Sequence, residues 1–530
     1  MFRTLPLVRF STQLSQLVPC VRVSIRLVNN FSPITKSKHA IEQMDYIKSA
    51  VSSDEIDWPT VRSNTLQIPG SVNEKNLDAI FLKAMINAKQ FDAALSYVEY
   101  LKRINTEFNL GCTNSILFLF YEIGKINELT TEQKSFILNS YESLYEKYKV
   151  LDSMTCDRLL HALCVIHEWK KALKVLDDLC LSSRPSHSSY STLVATLFDN
   201  NKKGEALKLI ERSICDSRPL QTIAYLAWIN YILKKYKQNQ TKLKYLEEIF
   251  WHIFDNSVII NEETAQNIQD VYTSLGWNAN VTKIAKVDGQ CSYCREKLDC
   301  LKIGEEEFLT LQKNIKDKLI VGSDLFLKTT PQELDKFLKF IHKMAPFDIV
   351  LDALNIAYVA RKGAFERVNL LSTVVDYFTN RNKKILLLGR KHMLYWPKKV
   401  MSDIMSKTCY FFTDDLTQDD PYFITAAVLS GMNTDIVSKD LLRGHRFLLK
   451  DKKLALAFRR WQWQHQWMVF INNRKKLIIQ PPLQFTPCAQ KKDNAWHLPF
   501  EKEDATTQMH MNDGTPDLNS WLCLRPPVTQ

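Results

Sequence analysis

The stretch 348–358 reads DIVLDALNIAY, and it decides what kind of domain the last third of this chain contains. It begins with a short apolar, β-branched run behind Pro346, which predicts a buried strand that ends at Asp352. A second run, KILLL at 384–388, predicts another strand, and residues 365–379 between the two predict a helix. Strand, helix and strand in this order are typical of a parallel sheet that is covered by helices.

The same order of elements continues further along the chain. CYFFT at 409–413 and TDIVSK at 434–439 predict two more strands, and PYFITAAVLSG at 421–431 predicts an apolar helix between them. In parallel sheets, ligands bind outside the carboxyl ends of the strands. Asp352 and Asp440 each follow a predicted strand, so we expect both carboxylates at that edge.

Two further carboxylates, Asp419 and Asp420, stand at the start of the apolar helix, where the helix dipole favours negative charge. Taken singly, each aspartate has an ordinary explanation as a helix cap or a solvated strand end. Four carboxylates at one edge would repel one another unless a divalent cation or a basic partner neutralised them. Carboxylate oxygens favour Mg²⁺ or Mn²⁺, and these ions in turn favour phosphate as substrate. The sequence therefore predicts a metal site.

The segments around these aspartates, LDALNIAY, LLLGRKHM, DDPYFITAAVLSG and SKDLLRGH, resemble the metallonuclease domain of protein-only ribonuclease P. The resemblance runs from about residue 70 to 525, with the motifs in the family's order. It implies an NYN/PIN-like fold and a metal-dependent endoribonuclease that removes the 5′ leader of precursor tRNA. It also implies two-metal hydrolysis with Mg²⁺ (or Mn²⁺), which leaves a 5′-phosphate on the tRNA and a 3′-hydroxyl on the leader. The matching catalytic, metal-binding positions are Asp352, Asp419, Asp420 and Asp440.

Two positions depart from the family's pattern. Position 353 is Ala where the family usually has Gly, and position 444 is Gly where the family usually has an acid. The first change adds a methyl group beside the site, and the second loosens whatever orients Arg443 and His445. These departures keep open a second function, that of a catalytically idle RNA-binding or scaffold protein that retains the fold.

The sequence Cys291-Ser-Tyr-Cys294 has the spacing at which two thiolates reach one tetrahedral ion, although a redox pair has the same spacing. The resemblance supplies two complementary ligands, His497 in AWHLPF and Cys523 in NSWLCLRP, and so implies a structural Zn²⁺ ion. Cys300 is an alternative ligand, but a buried free thiol is its simpler interpretation. Because one ion would close a loop of about 200 residues, we expect loss of zinc to destabilise the fold.

Residues 73–283 contain few Pro or Gly and repeat apolar residues at i, i+3 and i+4, which predicts stacked amphipathic helices. WKKALKVLDDL, centred on Ala172, recurs 34 residues later as KGEALKLIERS, centred on Ala206. Helix pairs of this period build a solenoid, because one pair cannot bury its own apolar face. The period fits tetratricopeptide and pentatricopeptide repeats equally, and an architectural spacer is a third possibility. The resemblance favours pentatricopeptide repeats that grip the tRNA elbow.

The N-terminal segment has the composition of a targeting sequence. Residues 1–40 contain no Asp or Glu, and their arginines are spread among Leu, Val, Phe and Ser. This composition predicts a mitochondrial transit peptide, and hence a protein of the matrix, followed by a poorly ordered lead-in at 41–72. No stretch reaches the length of uncharged apolar residues that a bilayer span requires, so we expect no membrane partner.

These patterns together predict three folded parts. An α-helical pentatricopeptide-repeat solenoid is expected at 73–283, and an α/β (NYN/PIN-like) parallel-sheet metallonuclease domain at 346–465. A small zinc-binding module, formed by 284–345 and 466–530, is expected to join them.

The charge of the chain suits a polyanionic partner, and precursor tRNA is the one that the resemblance implies. The formal net charge is +12, of which the transit peptide contributes about six, so contacts with RNA must come from local basic patches. The candidates near the aspartates are Arg390, Lys391, His392, Arg443 and His445. The resemblance further implies two partner proteins, a tRNA methyltransferase subunit and a short-chain dehydrogenase subunit.

Overall fold

The structure is a computed structural model that describes residues 38–51, 56–216, 218–315, 330–360, 363–414, 420–439, 452–472, 476–502 and 517–527. The chain divides into two compact units, Met1–Ile166 and His167–Gln530. In the residues described, the first unit is helical, whereas the second combines helices with two β-sheets.

The helices of the first unit begin where side chains cap their free backbone N–H groups. Asn109 accepts a hydrogen bond from Cys112 N, Thr130 forms a capping box with Gln133, and Asp152 accepts from two backbone N–H groups. The helices are α1 Lys38–Ala50, α2 Trp58–Gln67, α3 Leu77–Asn87, α4 Phe91–Arg103, α5 Leu110–Gly124, α6 Thr131–Lys147 and α7 Ser153–Val165.

The poorly ordered lead-in expected at 41–72 is not what the structure contains, because α1 and α2 lie in this stretch. Gln43 explains the difference. Its buried amide donates hydrogen bonds to the carbonyl oxygens of Thr65, Ile68 and Val72, and it accepts one from Val72 N. These bonds span 22 to 29 residues, so the local composition carries no sign of them. The transit peptide predicted at 1–40 lies outside the described residues up to 37.

The second unit begins with a further run of helices. Ala172 and Ala206, the centres of the sequence repeat, have no exposed surface and therefore lie on the buried faces of their helices. The helices are α8 Trp169–Ser182, α9 His187–Asp199, α10 Lys203–Cys215, α11 Thr222–Lys235, α12 Asn239–Asn256 and α13 Glu262–Ser274.

The 34-residue repeat also reaches the helix ends. Asp152 and Ser186, which lie one period apart, cap the starts of α7 and α9 respectively. His167 and Asn201, again one period apart, adopt positive φ angles of 63° and 57° just after the ends of α7 and α9. The repetition is therefore one of cap, helix and turn, as in a helical-repeat protein.

The remaining helices and the strands build the rest of the second unit. The helices are α14 Glu305–Ile315, α15 Pro331–Met344, α16 Ala353–Ala357, α17 Ala364–Thr379, α18 Lys398–Lys407, α19 Asp420–Ser430 and α20 Lys452–His465. The strands are β1 Ile260–Asn261, β2 Asn278–Thr282, β3 Ile349–Asp352, β4 Ile385–Arg390, β5 Cys409–Thr413, β6 Asp435–Val437, β7 Gln466–Ile471, β8 Leu477–Gln480, β9 Gln490–Lys492, β10 Ala495–Glu501 and β11 Trp521–Arg525.

The larger sheet has the strand order β5-β4-β3-β6-β7-β8, and every pair except β7–β8 is parallel. Successive residues of β3 point to opposite faces: Val350 joins the core under α14, α15, α19 and α20, while Ile349 and Leu351 join the core under α16, α17 and α18. Burial on both faces explains the unbroken apolar run in the sequence. The predicted strands β3, β4, β5 and β6 and the predicted helices α17 and α19 are all present.

The observed grouping of segments differs from the boundaries expected from the sequence. Strands β7 and β8 extend the larger sheet, although residues from 466 onward were assigned to the zinc module. The helices α14 and α15, from the other half of that module, pack on the same sheet through Phe308 and Phe337. Strands β1 and β2 lie within 73–283, the range expected to be helical. They pair with β10 and β11 in a five-stranded sheet, in which β9 also pairs with β10. Sheet membership depends on partners far away in the chain, which local patterns do not specify.

Among the described residues, no helix combines the length and the apolar character that a bilayer crossing demands.

The aromatic core of the larger sheet provides a test of this packing. Phe337 is completely buried, with its ring centroid 4.6 Å from Tyr422 and 5.3 Å from Phe411. We expect Phe337→Ala to lower the free energy of unfolding by about 3–5 kcal/mol, because the change removes buried apolar surface and leaves a cavity. The matched variant Phe365→Ala, at a position that is 60% exposed, should change it by less than about 0.5 kcal/mol. Urea unfolding followed by circular dichroism measures both, and equal losses would contradict the packing.

Candidate functional site

Asp352 is the last residue of β3 and lies at the carboxyl edge of the larger sheet, between β4 and β6. The residue is 5% exposed. Its Oδ1 accepts a hydrogen bond from Asn355 N at 3.1 Å, which caps α16, and its Oδ2 accepts from Asn355 Nδ2 and, at 3.0 Å, from Ser438 Oγ. Donors from both the following helix and the neighbouring strand therefore orient this carboxylate.

The chain direction brings the start of α19 to the same edge. Strand β5 runs parallel to β4 and ends at Thr413, so the chain leaves it at the carboxyl edge. It must return to the opposite edge to begin β6, because Asp435 N donates to Asp348 O there. Helix α19, which packs against β3, makes this return and begins at Asp420. The backbone of Asp420 thus lies at the carboxyl edge, whereas its side chain, Asp419 and Asp440 are outside the described residues.

The structure places three of the five basic candidates at this edge. Arg390 ends β4 and pairs in register with Thr413, and Lys391 forms an ion pair with Asp414, just beyond β5. The ring of His392 lies 6.3 Å from that of Trp396. The ion pair reduces the positive charge that Lys391 offers to a ligand. The other two candidates, Arg443 and His445, lie outside the described residues.

Three polar residues near Asp352 were not among the candidates predicted from the sequence: Asn355, Ser438 and Asp414. Asn355 had a detectable signal, since a side-chain amide three residues after Asp352 matches the geometry of a capped helix start. Ser438 had none, because its hydrogen bond to Asp352 spans 86 residues and exists only where β3 and β6 pair. Asp414 is a further carboxylate just beyond β5, but its ion pair with Lys391 already provides it with a counter-charge.

The first departure from the family's pattern, Ala353, is a buried residue of the hydrophobic core. Ala353 has no exposed surface and belongs to the same cluster of buried residues as Ile356 and Leu351. Its methyl group therefore packs inward rather than into the space in front of Asp352. Gly444, the second departure, lies outside the described residues.

A second constellation of side chains lies on the five-stranded sheet. Cys291, Cys294, His497 and Cys523 are all buried, and their ligand atoms lie within 4.8 Å of one another. His497 and Cys523 are direct cross-strand partners on β10 and β11, and the two other cysteines follow β2, which pairs with β11. Three sulfurs and one imidazole at this spacing match the donor set of a structural zinc ion, whose tetrahedron has sulfur–sulfur edges of about 3.8 Å. Cys300 is not part of the cluster.

The pKa values of the side chains in this cluster are compatible with binding of a cation. The hydrogen bond with Cys523 lowers the pKa of Cys291 to about 2 and raises the pKa of Cys523 far above its usual range. Burial lowers the pKa of His497, but hydrogen bonds with Cys291 and Cys294 outweigh burial and raise the pKa to about 9. A buried thiolate beside an imidazolium is a charge arrangement that one divalent cation can replace, with release of protons.

The backbone of the Cys291–Cys294 turn is tightly constrained. Cys291 N donates to Glu296 O at 2.8 Å, and Arg295, at a φ of 68°, returns its N–H to Cys291 O at 3.0 Å. Gly289 also has a positive φ of 72°, and a Cβ atom there would lie 2.7 Å from Cγ of Phe485. Glycine is therefore required at 289 both by backbone conformation and by space. Thr282 Oγ1 lies 3.4 Å from Cys291 Sγ and provides a second contact behind the sulfur.

Comparison with known proteins relates this chain to one family. A family model described as protein-only RNase P matches residues 285–523. The mitochondrial ribonuclease P catalytic subunit of Mus musculus is 31% identical over 404 residues, which cover 74% of this chain and 67% of the mouse protein. The same subunit of Rattus norvegicus is 30% identical over 402 residues, with the same coverage of 74% and 67%.

The fold agrees with this relationship. The crystal structure of nuclear proteinaceous RNase P 2 from A. thaliana superimposes with a TM-score of 0.52 and 15% sequence identity, and the match covers 86% of this chain and 100% of that one. At this identity the structural similarity establishes the fold alone. The sequence relatives establish more, and this chain belongs to the protein-only ribonuclease P family.

Proposed function

We propose that this chain is the catalytic subunit of a mitochondrial ribonuclease P, a metal-dependent endoribonuclease that removes the 5′ leader from precursor tRNA. Its relatives in mouse and rat carry the name of that subunit. The structural observation that carries the proposal is the buried carboxylate of Asp352 at the carboxyl edge of a parallel sheet. This edge is where sheets of this kind bind their ligands.

Asp352, Asp419, Asp420 and Asp440 are the residues that we propose to hold catalytic Mg²⁺ (or Mn²⁺). The one described carboxylate fits this role, because hard oxygen donors suit these ions and its orientation is set by three hydrogen bonds. When bound, the ions lower the pKa of a water molecule and stabilise the charge that develops on the phosphate oxygens. The four carboxylates would hold the cations next to the scissile phosphodiester, and the expected products are a 5′-phosphate and a 3′-hydroxyl.

Basic residues around the same edge are proposed to contact the RNA backbone. Arg390 ends β4, which lies next to the strand that carries Asp352, and Lys391 and His392 follow it directly. Arg443 and His445 complete this proposed set. The helical repeats are proposed to be pentatricopeptide repeats that bind the tRNA elbow by its shape and phosphates, since A-form RNA is recognised largely in that way.

The cluster of Cys291, Cys294, His497 and Cys523 is proposed to hold one structural Zn²⁺ ion. Its four donors leave no open position for a substrate, which separates a structural from a catalytic zinc site. Burial of all four side chains supports the same assignment.

The place and partners of the enzyme complete the proposal. We place it in the mitochondrial matrix, in line with the composition of residues 1–40. A tRNA methyltransferase subunit and a short-chain dehydrogenase subunit are proposed as its protein partners. The alternative of a catalytically idle scaffold has no observation in its favour within the described part of the chain.

Replacement of the central carboxylate tests the catalytic assignment. We expect Asp352→Asn to slow cleavage of a mitochondrial precursor tRNA by about 100-fold or more, since a metal ion contributes several kcal/mol of transition-state stabilisation. Asp348→Asn is the matched control, because Asp348 directly precedes β3 and so lies at the end of the strand opposite to Asp352. Asp348 is exposed, and its carboxylate accepts a hydrogen bond from Lys384 N at 2.7 Å. The control should retain cleavage.

The assay contains Mg²⁺ and both proposed partner subunits, and the RNA ends are mapped by mass spectrometry. Full activity of Asp352→Asn would contradict the assignment of the site. Cleavage elsewhere than at the leader junction would contradict the proposed reaction.

The zinc site is tested by paired cysteine substitutions. Purified wild-type protein should contain about one zinc per chain, and Cys294→Ser should lose it, because a serine hydroxyl is a poor zinc ligand. Cys300→Ser, outside the cluster, should keep the zinc. Loss of the ion should also lower the thermal unfolding midpoint, since binding energy of a structural zinc is folding energy. Metal content is measured by inductively coupled plasma mass spectrometry, and equal zinc in both variants would refute the ligand set.

A further inference from the structure

We propose that Ser438 is a positioning residue for the proposed nuclease site, and that Gln466 in turn fixes Ser438. The hydroxyl of Ser438 would hold the carboxylate of Asp352 in the orientation that binds the catalytic cation. This inference rests on the proposed function, because it assigns a role to Asp352 as a metal ligand.

The contact between Ser438 and Asp352 is direct and buried. Ser438 follows β6 and has no exposed surface, and its Oγ donates to Asp352 Oδ2 at 3.0 Å. Asn355 Nδ2 donates to the same oxygen, and Asn355 N donates to Oδ1 at 3.1 Å. Hydrogen bonds to both oxygens, from two different elements, fix the plane of the carboxylate.

The strand register explains why Ser438 reaches the carboxylate. Leu351 and Val437 are paired across β3 and β6, so the next residue on each strand, Asp352 and Ser438, also lie side by side. Because the strands are parallel, both side chains stand at the carboxyl edge. Backbone pairing therefore places the Ser438 hydroxyl next to the Asp352 carboxylate.

Two glutamines support Ser438, one at the start of β7 and one in α20. Gln466, at the start of β7, donates from Nε2 to the backbone carbonyl oxygen of Ser438 at 3.0 Å. Its Oε1 accepts a hydrogen bond from Gln462 Nε2 at 2.7 Å, and both glutamines are only 7% exposed. A continuous line of donors therefore runs from α20 through β7 and β6 to Asp352.

Burial of a polar group that lacks a hydrogen bond costs free energy, so each of these buried side chains is stabilised by its hydrogen-bond partners. A ligand carboxylate that can rotate binds a cation less well than one that is held, and partners behind metal ligands typically change metal affinity or activity by about 10–100-fold. We therefore expect loss of the Ser438 hydroxyl to weaken cation binding. Substrate binding should be unaffected, because Ser438 has no exposed surface with which to contact RNA.

The experiment compares Ser438→Ala with Ser213→Ala in the full chain. Ser213 is the matched control: it is also completely buried, in α10, and its Oγ donates to Ile210 O at 2.8 Å. Mn²⁺ binding is measured from the loss of the electron paramagnetic resonance signal of free Mn²⁺. We expect Ser438→Ala to bind the Asp352-dependent Mn²⁺ about 10–100-fold more weakly, to lower kcat for precursor tRNA by a similar factor, and to keep KM within about two-fold. Ser213→Ala should match wild type in all three.

Two further variants show whether weaker Mn²⁺ binding by Ser438→Ala results only from misfolding. Ser438→Cys fills nearly the same space and keeps only a weak S–H donor, so it should give a smaller loss in the same direction. Gln466→Met, which removes the amide behind Ser438, should also weaken Mn²⁺ binding. If folded Ser438→Ala or Ser438→Cys binds Mn²⁺ as wild type does, Ser438 has only a structural role and the inference fails.

An Asp352→Asn variant separates this failure from that of the proposed function. If wild type binds no more Mn²⁺ than Asp352→Asn, Asp352 is not a metal ligand, and the proposed nuclease site falls together with this inference. If wild type binds more Mn²⁺ than Asp352→Asn does, and Ser438→Ala binds as much Mn²⁺ as wild type, only the positioning role of Ser438 is overturned.

Discussion

The parallel pairing of β3 with β4 on one side and β6 on the other is the constraint on which the candidate site depends. It buries β3 on both faces and leaves Asp352 at the carboxyl edge, where backbone pairing ends. The same pairing brings Ser438 beside that carboxylate, although 86 residues separate the two in sequence. Parallel strands end at a common edge, so groups from distant segments meet there without any loop having to reach across.

The cysteine and histidine cluster brings together two segments of the chain, one that precedes the strands of the larger sheet in sequence and one that follows them. Cys294 and His497 lie 203 residues apart, and the whole of β3–β8 lies between them. The cluster therefore joins the segment that enters the larger sheet to the segment that leaves it. The Zn²⁺ ion proposed for this cluster would stabilise the folded chain, because its full binding energy is available only when these distant segments come together. Such an ion would thereby stabilise the sheet that carries Asp352 without taking part in its chemistry.

The sequence predicted local elements well and their grouping less well. The apolar runs that became β3 and β4 were recognisable because both faces of these strands are buried, whereas β5, at the edge of the sheet, is only partly buried and was recognised from its aromatic residues. The helices α1 and α2 were missed because Gln43, a polar residue, orders them through bonds to backbone atoms at Thr65 and Val72. Strands β7 and β8 were placed with the wrong neighbours, since an apolar strand does not specify which sheet it joins.

By itself, the sequence determined the alternation of strands and helices, the 34-residue helical repeat, the position of Asp352 at a strand end and the spacing of Cys291 and Cys294. These features depend on side-chain periodicity and on residues a few positions apart, which the chain carries locally. Only the tertiary structure decided that Ser438 and Gln466 stand behind Asp352, and that His497 lies opposite Cys523 on paired strands. The reason is that such contacts arise from strand register, and register is set by the packing of the whole sheet rather than by any single segment.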